Sequence, residues 1–171
     1  MEGNGYKIRE LKERDLEQMI QIRLDLLTTH PKNFGSSAKE EGAFSREKWM
    51  TRLTNPKTRT IGVFHEDKVI GLGVLALNPR EKMQHIGVLN SFYIKKDYRR
   101  KGLAKDLLVF IEKLAKELGI VRINLSVMEE NIEAIRFYKK NGFIETGKEL
   151  DTIFVEGSYY SLSLMSKALK Y

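Results

Sequence analysis

Apolar and polar residues recur with two different periods along the first third of the chain. Residues 6–10 alternate as in a strand, whereas the apolar side chains of residues 11–27 recur at helical spacing. Residues 28–41 contain a proline, a glycine and a serine pair, and they predict a loop or a short broken helix. Ser45 has the sequence context of an N-cap, so we expect a second helix to about Leu53, ended by Asn55-Pro56.

The rest of the chain alternates β-rich runs with two amphipathic helices. The predicted strands are residues 60–65, 69–77, 85–95, 120–127, 143–154 and 158–169. The predicted helices follow Gly102 and Asn131, and the predicted hairpin turns are Glu66-Asp67-Lys68 and Glu156-Gly157. The order βαα-βββ-αβ-αββ predicts a mixed α/β (α+β) fold, with a central sheet of about seven strands and flanking helices.

Length and composition limit the class of protein. The 171 residues suit a single domain, residues 1–171. The absence of cysteine excludes disulfides and thiolate chemistry, and the three scattered histidines lack metal-ligand spacing, so no metal site is expected. The chain has no signal-like segment and no run of about 20 apolar residues, so we expect a cytoplasmic protein with no membrane partner.

The net charge of +7 raises the question of nucleic acid. Positive charge collects at Lys95-Lys96, Arg99-Arg100-Lys101 and Lys139-Lys140. A small molecule with several phosphate groups explains these clusters as well as RNA does. The chain shows no recognisable helix-turn-helix, zinc or RNA-binding motif, so nucleic acid is the less favoured partner.

The segment Arg99-Arg100-Lys101-Gly102-Leu103-Ala104 follows an apolar strand-like run and opens an amphipathic helix. Glycine lets the backbone approach a ligand closely. The first amides of a helix lack intrahelical partners and carry the positive end of the helix dipole. This chemistry favours a pyrophosphate site, and the alternative is a basic turn that caps a surface helix.

A second motif runs from Asn131 to Phe143, Asn-Ile-Glu-Ala-Ile-Arg-Phe-Tyr-Lys-Lys-Asn-Gly-Phe. Asn131 and Tyr138 are seven residues apart, so they share nearly one face of a helix and can point at one ligand. Asn141-Gly142 is a predicted helix stop. The alternative interpretation is an ordinary amphipathic helix with a packed tyrosine.

Both motifs resemble signatures of the GNAT superfamily of N-acetyltransferases, namely Arg/Gln-x-x-Gly-x-Gly/Ala and Asn-x-x-Ala-x-x-Phe-Tyr-x-x-x-Gly-Phe. The resemblance implies the GNAT acyl-CoA N-acyltransferase fold and acetyl-CoA as cosubstrate, bound in a wedge between strands 85–95 and 120–127. The cofactor-binding residues that it implies are Phe92, Tyr93 and Ile94 along the pantetheine, Arg99, Arg100, Lys101, Gly102, Leu103 and Ala104 at the pyrophosphate, and Asn131.

The resemblance also implies a direct attack of a primary amine on the acetyl thioester in a ternary complex. Tyr138 then stands where the family has its general acid; a phenol with a pKa of about 10 stays protonated and acts largely by hydrogen bonding. Many relatives carry a glutamate just before the aromatic strand motif, but Asn90-Ser91 stand here and neither is a base. Glu40 or Glu41 is the candidate base, with a water chain as the alternative.

The acceptor is defined less closely. Candidates for its site are Glu40, Glu41, Trp49, Tyr159 and Tyr160; of the two adjacent tyrosines, one should face inward and one outward. We expect a small amine or a peptide or protein N-terminus as acceptor.

A non-catalytic CoA-binding regulatory module is the alternative function, and it would have no need of Tyr138. A homodimer through the last hairpin or an edge strand is a further option.

Overall fold

The structure is a computed structural model that describes residues 2–3 and 5–170. The strands are β1 Glu2–Gly3, β2 Tyr6–Glu10, β3 Thr58–His65, β4 Lys68–Leu77, β5 Ile86–Ile94, β6 Arg122–Met128, β7 Ile144–Val155 and β8 Ser158–Ala168. The α-helices are α1 Leu16–Thr29, α2 Ala38–Gly42, α3 Arg46–Thr54, α4 Leu103–Glu117 and α5 Ile132–Lys140.

The strands form one sheet in the order β1-β2-β3-β4-β5-β6-β8-β7. Neighbouring strands are antiparallel except β5 and β6, which are parallel and are joined through α4. The predicted mixed α/β fold is confirmed, and its parallel pair is the strand–helix–strand crossover expected in the middle of the chain. The two-residue β1 and the short α2 are additional, and α2 lies in the segment predicted as a loop or broken helix.

Polar side chains set the helix starts near the N-terminus. Ser37 caps α2 and Ser45 caps α3, and each hydroxyl accepts a hydrogen bond of 3.1 Å from a backbone N–H three residues on. The first helix begins later than predicted, at Leu16, because residues 13–15 form a 3₁₀ turn. The Asp15 carboxylate holds this turn by accepting hydrogen bonds from Arg9 and from a backbone N–H.

Helices cover both faces of the sheet. On one face α4 buries Leu107, Leu108 and Ile111 against the strands. On the other face α1 and α3 pack, with Leu26 and Trp49 buried. Because the central strands are covered on both sides, β3 and β4 are nearly continuous apolar runs rather than alternating ones. Across the described residues, no helix combines the length and the apolar character needed to cross a membrane.

Candidate active site

Strands β5 and β6 separate partway along their length. They pair only where residues 86–88 of β5 face residues 122–124 of β6. Beyond this point β5 stays with β4 up to Ile94, and β6 stays with β8 up to Met128. The facing edges of the two strands therefore have no ladder between them in this described stretch. Their backbone groups are available to a ligand, except the Ile94 carbonyl, which accepts a hydrogen bond from Arg99.

A β-bulge in β5 lies where the strands separate. Ser91 and Phe92 together oppose Gly73 of β4. Ser91 has a φ of 52°, a left-handed conformation that costs a non-glycine residue about 1 kcal/mol or more. Its hydroxyl accepts a hydrogen bond of 2.8 Å from Arg23 Nη1, which helps to hold this conformation. The segment predicted to bind pantetheine begins at this bulge.

A cavity of about 430 Å³ occupies the gap between the separated strands. Asn131, Ala134 and Tyr138 line one end, which we call the α5 end, and Arg23, Trp49 and Arg52 are among the residues lining the other, the α3 end. Tyr138 packs in the same core cluster as α4, and Trp49 belongs to the cluster on the opposite face, so the cavity reaches both faces of the sheet at the split. Its size is that of a small-molecule site.

The loop before α4 has the features of an anion site. Gly102 has a φ of 81° and is the N-cap of α4, and the space beside its Cα is open within 4 Å. The amides of Leu103, Ala104 and Lys105 begin the helix and lack intrahelical acceptors. With the helix dipole behind them and exposed Arg100 beside them, these amides fit a pyrophosphate.

Two of the predicted phosphate-binding side chains make bonds within the protein. Arg99 donates from Nε to the Ile94 carbonyl at 2.9 Å, and its Nη2 lies 3.0 Å from His30 Nε2. Burial, followed by the charge of Arg99, lowers the pKa of His30. Because a guanidinium only donates, the neutral imidazole accepts this bond. Lys101 donates to the Tyr6 hydroxyl at 3.3 Å. Arg99 thus ties the loop to β5 and to the residue after α1.

Tyr138 lies buried at the α5 end of the cavity. Its ring centroid is 6.0 Å from that of Phe92 and 5.4 Å from those of Phe137 and Phe143. Burial raises the pKa of the Tyr138 phenol. The hydroxyl therefore keeps its proton throughout the physiological range and can serve as a hydrogen-bond donor.

Asn131 combines a structural contact with a place on the cavity wall. Its Oδ1 accepts a hydrogen bond of 3.2 Å from the Ala134 N–H and caps α5. The cap uses only the oxygen, which leaves the side-chain amide nitrogen as a donor. The predicted ligand contact is thus compatible with the cap, and it stays a prediction.

Glu41 is buried and bonded to two arginines. Its carboxylate accepts hydrogen bonds of 2.8 and 2.7 Å from Nε and Nη2 of Arg23, and Arg52 Nη1 lies 3.0 Å away. Burial by itself raises the pKa of Glu41, but the hydrogen bonds and charges of the two arginines outweigh it and lower the pKa to about 2. Such a carboxylate takes no proton near neutral pH. The geometry contradicts the expectation that Glu41 is the base.

Glu40 is exposed and makes a different contact. Its carboxylate accepts hydrogen bonds from the backbone N–H and the hydroxyl of Ser37, and the first of these contributes most to lowering its pKa. It completes the capping box of α2. Glu40 and Glu41 both lie outside the cavity lining, so the structure supports neither as the base.

Of the three aromatic candidates for the acceptor site, one lines the cavity and two do not. Trp49 is buried and lines the α3 end of the cavity. Tyr159 is 65% exposed and packs on Phe154, whereas Tyr160 is half-buried, with Lys32 Nζ 4.9 Å from its ring centroid. The two tyrosines thus face opposite ways, as expected, but both lie outside the cavity lining.

Two residues of the cavity wall, Arg23 and Arg52, are not among the site residues predicted from the sequence. Arg23 did carry a signal, because it is a charged residue at a helical position shared with Met19 and Leu27 on the apolar face of α1. Arg52 follows Trp49 by one helical turn on α3. Their meeting at Glu41 joins α1, α2 and α3 and could not be inferred from spacing along one element.

We expect Glu41→Gln to lower the free energy of unfolding by about 3 kcal/mol, because it leaves the buried Arg23 without a counter-charge. Urea unfolding measures the difference. The matched control is Glu40→Gln, which changes the preceding glutamate in the same way; glutamine also serves in a capping box, so about 0.5 kcal/mol or less is expected. Equal losses in both variants would contradict the structural role of Glu41.

The effect of Glu41→Gln should depend on pH. The pKa of Glu41 is lowered from 4.5 to about 2, so its contribution is present above pH 4.5 and is lost as the pH falls toward 2. The difference in unfolding free energy between the unchanged protein and Glu41→Gln should therefore become smaller as the pH falls from 4.5 toward 2.

By sequence, the chain is similar to known acetyltransferases. The model of the Acetyltransferase (GNAT) family matches residues 18–143. The chain is 38% identical over 97 residues to a probable spermine N(1)-acetyltransferase of Bacillus subtilis subsp. natto, which covers 54% of this chain and 63% of that protein. It is 26% identical over 165 residues to a spermidine N(1)-acetyltransferase of Thermoplasma acidophilum. This match covers 92% of this chain and 99% of that protein.

Solved structures show the same fold. An acetyltransferase of the GNAT family from Streptococcus pneumoniae superposes with a TM-score of 0.84 at 23% identity, covering 96% of this chain and 99% of that one. The yncA protein of Salmonella typhimurium, solved with its cofactor acetyl-CoA, gives a TM-score of 0.83 at 15% identity. This match covers 97% of this chain and 95% of that one. With a family model that matches well over half of its residues, this chain belongs to the GNAT family of acetyltransferases.

Proposed function

We propose that this protein is an acetyl-CoA-dependent N-acetyltransferase that acts on a primary amine of a small molecule. The observation that carries the proposal is the cavity through the split between β5 and β6, with Tyr138 at one end and a polar, partly open wall at the other. Membership of the family supports the reaction. The relatives named for spermine and spermidine support a small-molecule amine as acceptor.

The residues around the split fit acetyl-CoA. Apart from the Ile94 carbonyl, which Arg99 binds, the edge of β5 at residues 92–94 offers backbone groups to an extended arm, and Asn131 faces the same cavity. The first amides of α4, with Arg100 beside them, fit the pyrophosphate. When bound, acetyl-CoA supplies an acetyl thioester to which an amine adds directly with loss of the thiol.

Tyr138 donates a hydrogen bond at the sulfur while negative charge develops there. Because burial raises the pKa of this phenol, the proton would stay on Tyr138, and water would supply the proton that converts the departing thiolate into the thiol. A backbone N–H of β5 near Tyr93 or Ile94 serves as the donor to the carbonyl oxygen.

The proton of the amine leaves by water. Among the described residues that line the cavity there is no Asp, Glu or His. The position where many relatives carry a glutamate holds Asn90 and Ser91, and the Ser91 hydroxyl is already bonded to Arg23. The water chain is therefore the proton path that this wall supports best.

The test is thiol release from acetyl-CoA with a panel of polyamines, amino acids, aminoglycosides and short peptides, alongside calorimetry of acetyl-CoA binding. We expect binding, and release with one class of amine. Binding without release from any amine would favour the non-catalytic CoA-binding module. Absence of both would overturn the proposal.

The homodimer stays a prediction that light scattering can test. β7 forms one edge of the sheet, and the hairpin that it makes with β8 exposes Ile144, Leu150, Phe154 and Tyr159. A second copy that pairs there would cover an unpaired strand edge and these side chains together.

A further inference from the structure

The charged side chains that line the cavity are all of one sign. In residues 2–3 and 5–170, the lining includes Arg23 and Arg52 and no acidic residue. The other polar lining residues are Asn, Ser, Thr and Tyr. Both arginines lie at the α3 end and Tyr138 lies at the α5 end. In the proposed reaction the thioester lies near Tyr138, which leaves the cationic α3 end for the acceptor.

Arg23 is buried, and each of its three guanidinium nitrogens is bonded within the protein. Its side chain is 8% exposed, and its Nε and Nη2 bind Glu41 while its Nη1 binds Ser91. It serves to neutralise Glu41 and to hold the bulge of β5.

Arg52 is more exposed than Arg23. Its Nη1 lies 3.0 Å from Glu41 Oε2, and its side chain remains 42% exposed beside the ring of Trp49. A guanidinium has five N–H donors, and at this exposure Arg52 can offer donors to a ligand as well as to Glu41. Two guanidinium groups share one buried carboxylate, and the cluster therefore keeps net positive charge at the cavity surface.

We infer that the acceptor carries a carboxylate next to its amine, as a free amino acid does, and that Arg52 binds this carboxylate. The inference rests on the proposed function and names its substrate class. A guanidinium pairs with a carboxylate through two parallel hydrogen bonds, which fixes orientation as well as affinity. Arg52 would hold the carboxylate at the α3 end while the amine points into the split.

A polyamine fits this wall poorly. Each ammonium group that leaves water needs a counter-charge or acceptors in place of its hydration. Here it would meet the net positive charge of the cluster around Arg52, and the carboxylate of Glu41 is already bonded to two arginines. The acceptor class therefore differs from the one in the names of the spermine and spermidine relatives.

The experiment compares matched amines. Thiol release is measured for each proteinogenic amino acid and for its carboxamide, which keeps the amine and removes the negative charge, with spermidine, spermine and short peptides as further arms. The expected result is that kcat/KM for at least one amino acid exceeds that of its carboxamide by about 10- to 100-fold, the size of a charge-assisted hydrogen-bond pair. Polyamines and peptides should be poorer still.

Three variants assign the effect to Arg52. Arg52→Gln should lower kcat/KM for the amino acid about 10- to 100-fold, mainly by raising KM, and should leave kcat/KM for the carboxamide unchanged. For Arg52→Lys, kcat/KM for the amino acid should lie between the values of the unchanged protein and of Arg52→Gln. Arg46→Gln is the control, because Arg46 lies on the same helix but pairs with exposed Glu17 at 3.1 Å. The acetyl-CoA dissociation constant should be the same in all four proteins.

The remaining outcomes separate this inference from the proposed function. Equal or better turnover of carboxamides, polyamines or peptides would overturn the inference and keep the acetyltransferase. An Arg52→Gln variant with unchanged kcat/KM for the amino acid would also overturn the inference and keep the acetyltransferase. If acetyl-CoA binds but no amino acid is turned over or binds in calorimetry, the inference also fails. Loss of acetyl-CoA binding itself would instead overturn the proposed function.

Discussion

Gly102→Glu is expected to weaken acetyl-CoA binding by about 100-fold or more, because a carboxylate set against a phosphate costs several kcal/mol. The new side chain would stand at the N-cap of α4, in front of the amides that we assign to the pyrophosphate. The φ of 81° adds backbone strain for any residue with a Cβ, although the space around this position is open. Calorimetry with acetyl-CoA measures the change.

The control for this variant is Gly119→Glu. Gly119 follows the other end of α4, has a φ of 75° and also has open space within 4 Å. It therefore receives the same strain and the same charge, far from the proposed phosphates. Both variants should lose similar stability, on the order of 1 kcal/mol, and only Gly102→Glu should lose acetyl-CoA. Unchanged affinity in Gly102→Glu, or equal loss in both, would remove the phosphate site from this loop.

Tyr138→Phe should lower kcat about 100-fold while the acetyl-CoA dissociation constant changes less than about twofold. The ring contributes packing against Phe92, Phe137 and Phe143, and phenylalanine keeps it. The hydroxyl alone is lost, and in the proposed reaction it acts only while charge develops on the sulfur. Steady-state kinetics with the acceptor found in the panel, together with calorimetry, separates the two quantities.

Tyr159→Phe removes the same atom from an exposed tyrosine outside the cavity and should leave kcat unchanged. The pH dependence gives a second check. Because burial raises the pKa of Tyr138, its deprotonation should cause no fall in the activity of the unchanged protein below pH of about 10. A full-rate Tyr138→Phe enzyme, or a loss of activity near pH 8 that the variant abolishes, would contradict the assigned role.

Much of the fold could be predicted because its signals are local. The turns at Glu66-Asp67 and Glu156-Gly157 lie where the hairpins were expected, and all four residues have positive φ. Asn131 starts α5 and Ser45 starts α3 through contacts made within three residues. Periodicity and capping act over a few residues, so they can be recognised without knowledge of the rest of the molecule.

The environments of the two candidate bases, Glu40 and Glu41, could not be predicted from local signals. Glu40 and Glu41 are adjacent and chemically identical, yet one is exposed at a helix cap and the other is buried between Arg23 and Arg52. The difference depends on how α1, α2 and α3 pack together. A pKa of about 2 for Glu41 follows from that packing, since its partners lie 18 and 11 positions away in the chain.

For this protein, the sequence by itself determined the order of elements and the two family motifs, because both depend on residues within a turn or two of each other. Only the tertiary structure decided where β5 and β6 stop pairing, which side chains line the cavity between them, and the sign of its charge. Those properties arise from strand register and helix packing. Both bring together residues far apart in the chain, such as Ser91 and Arg23, whose meeting no local pattern records.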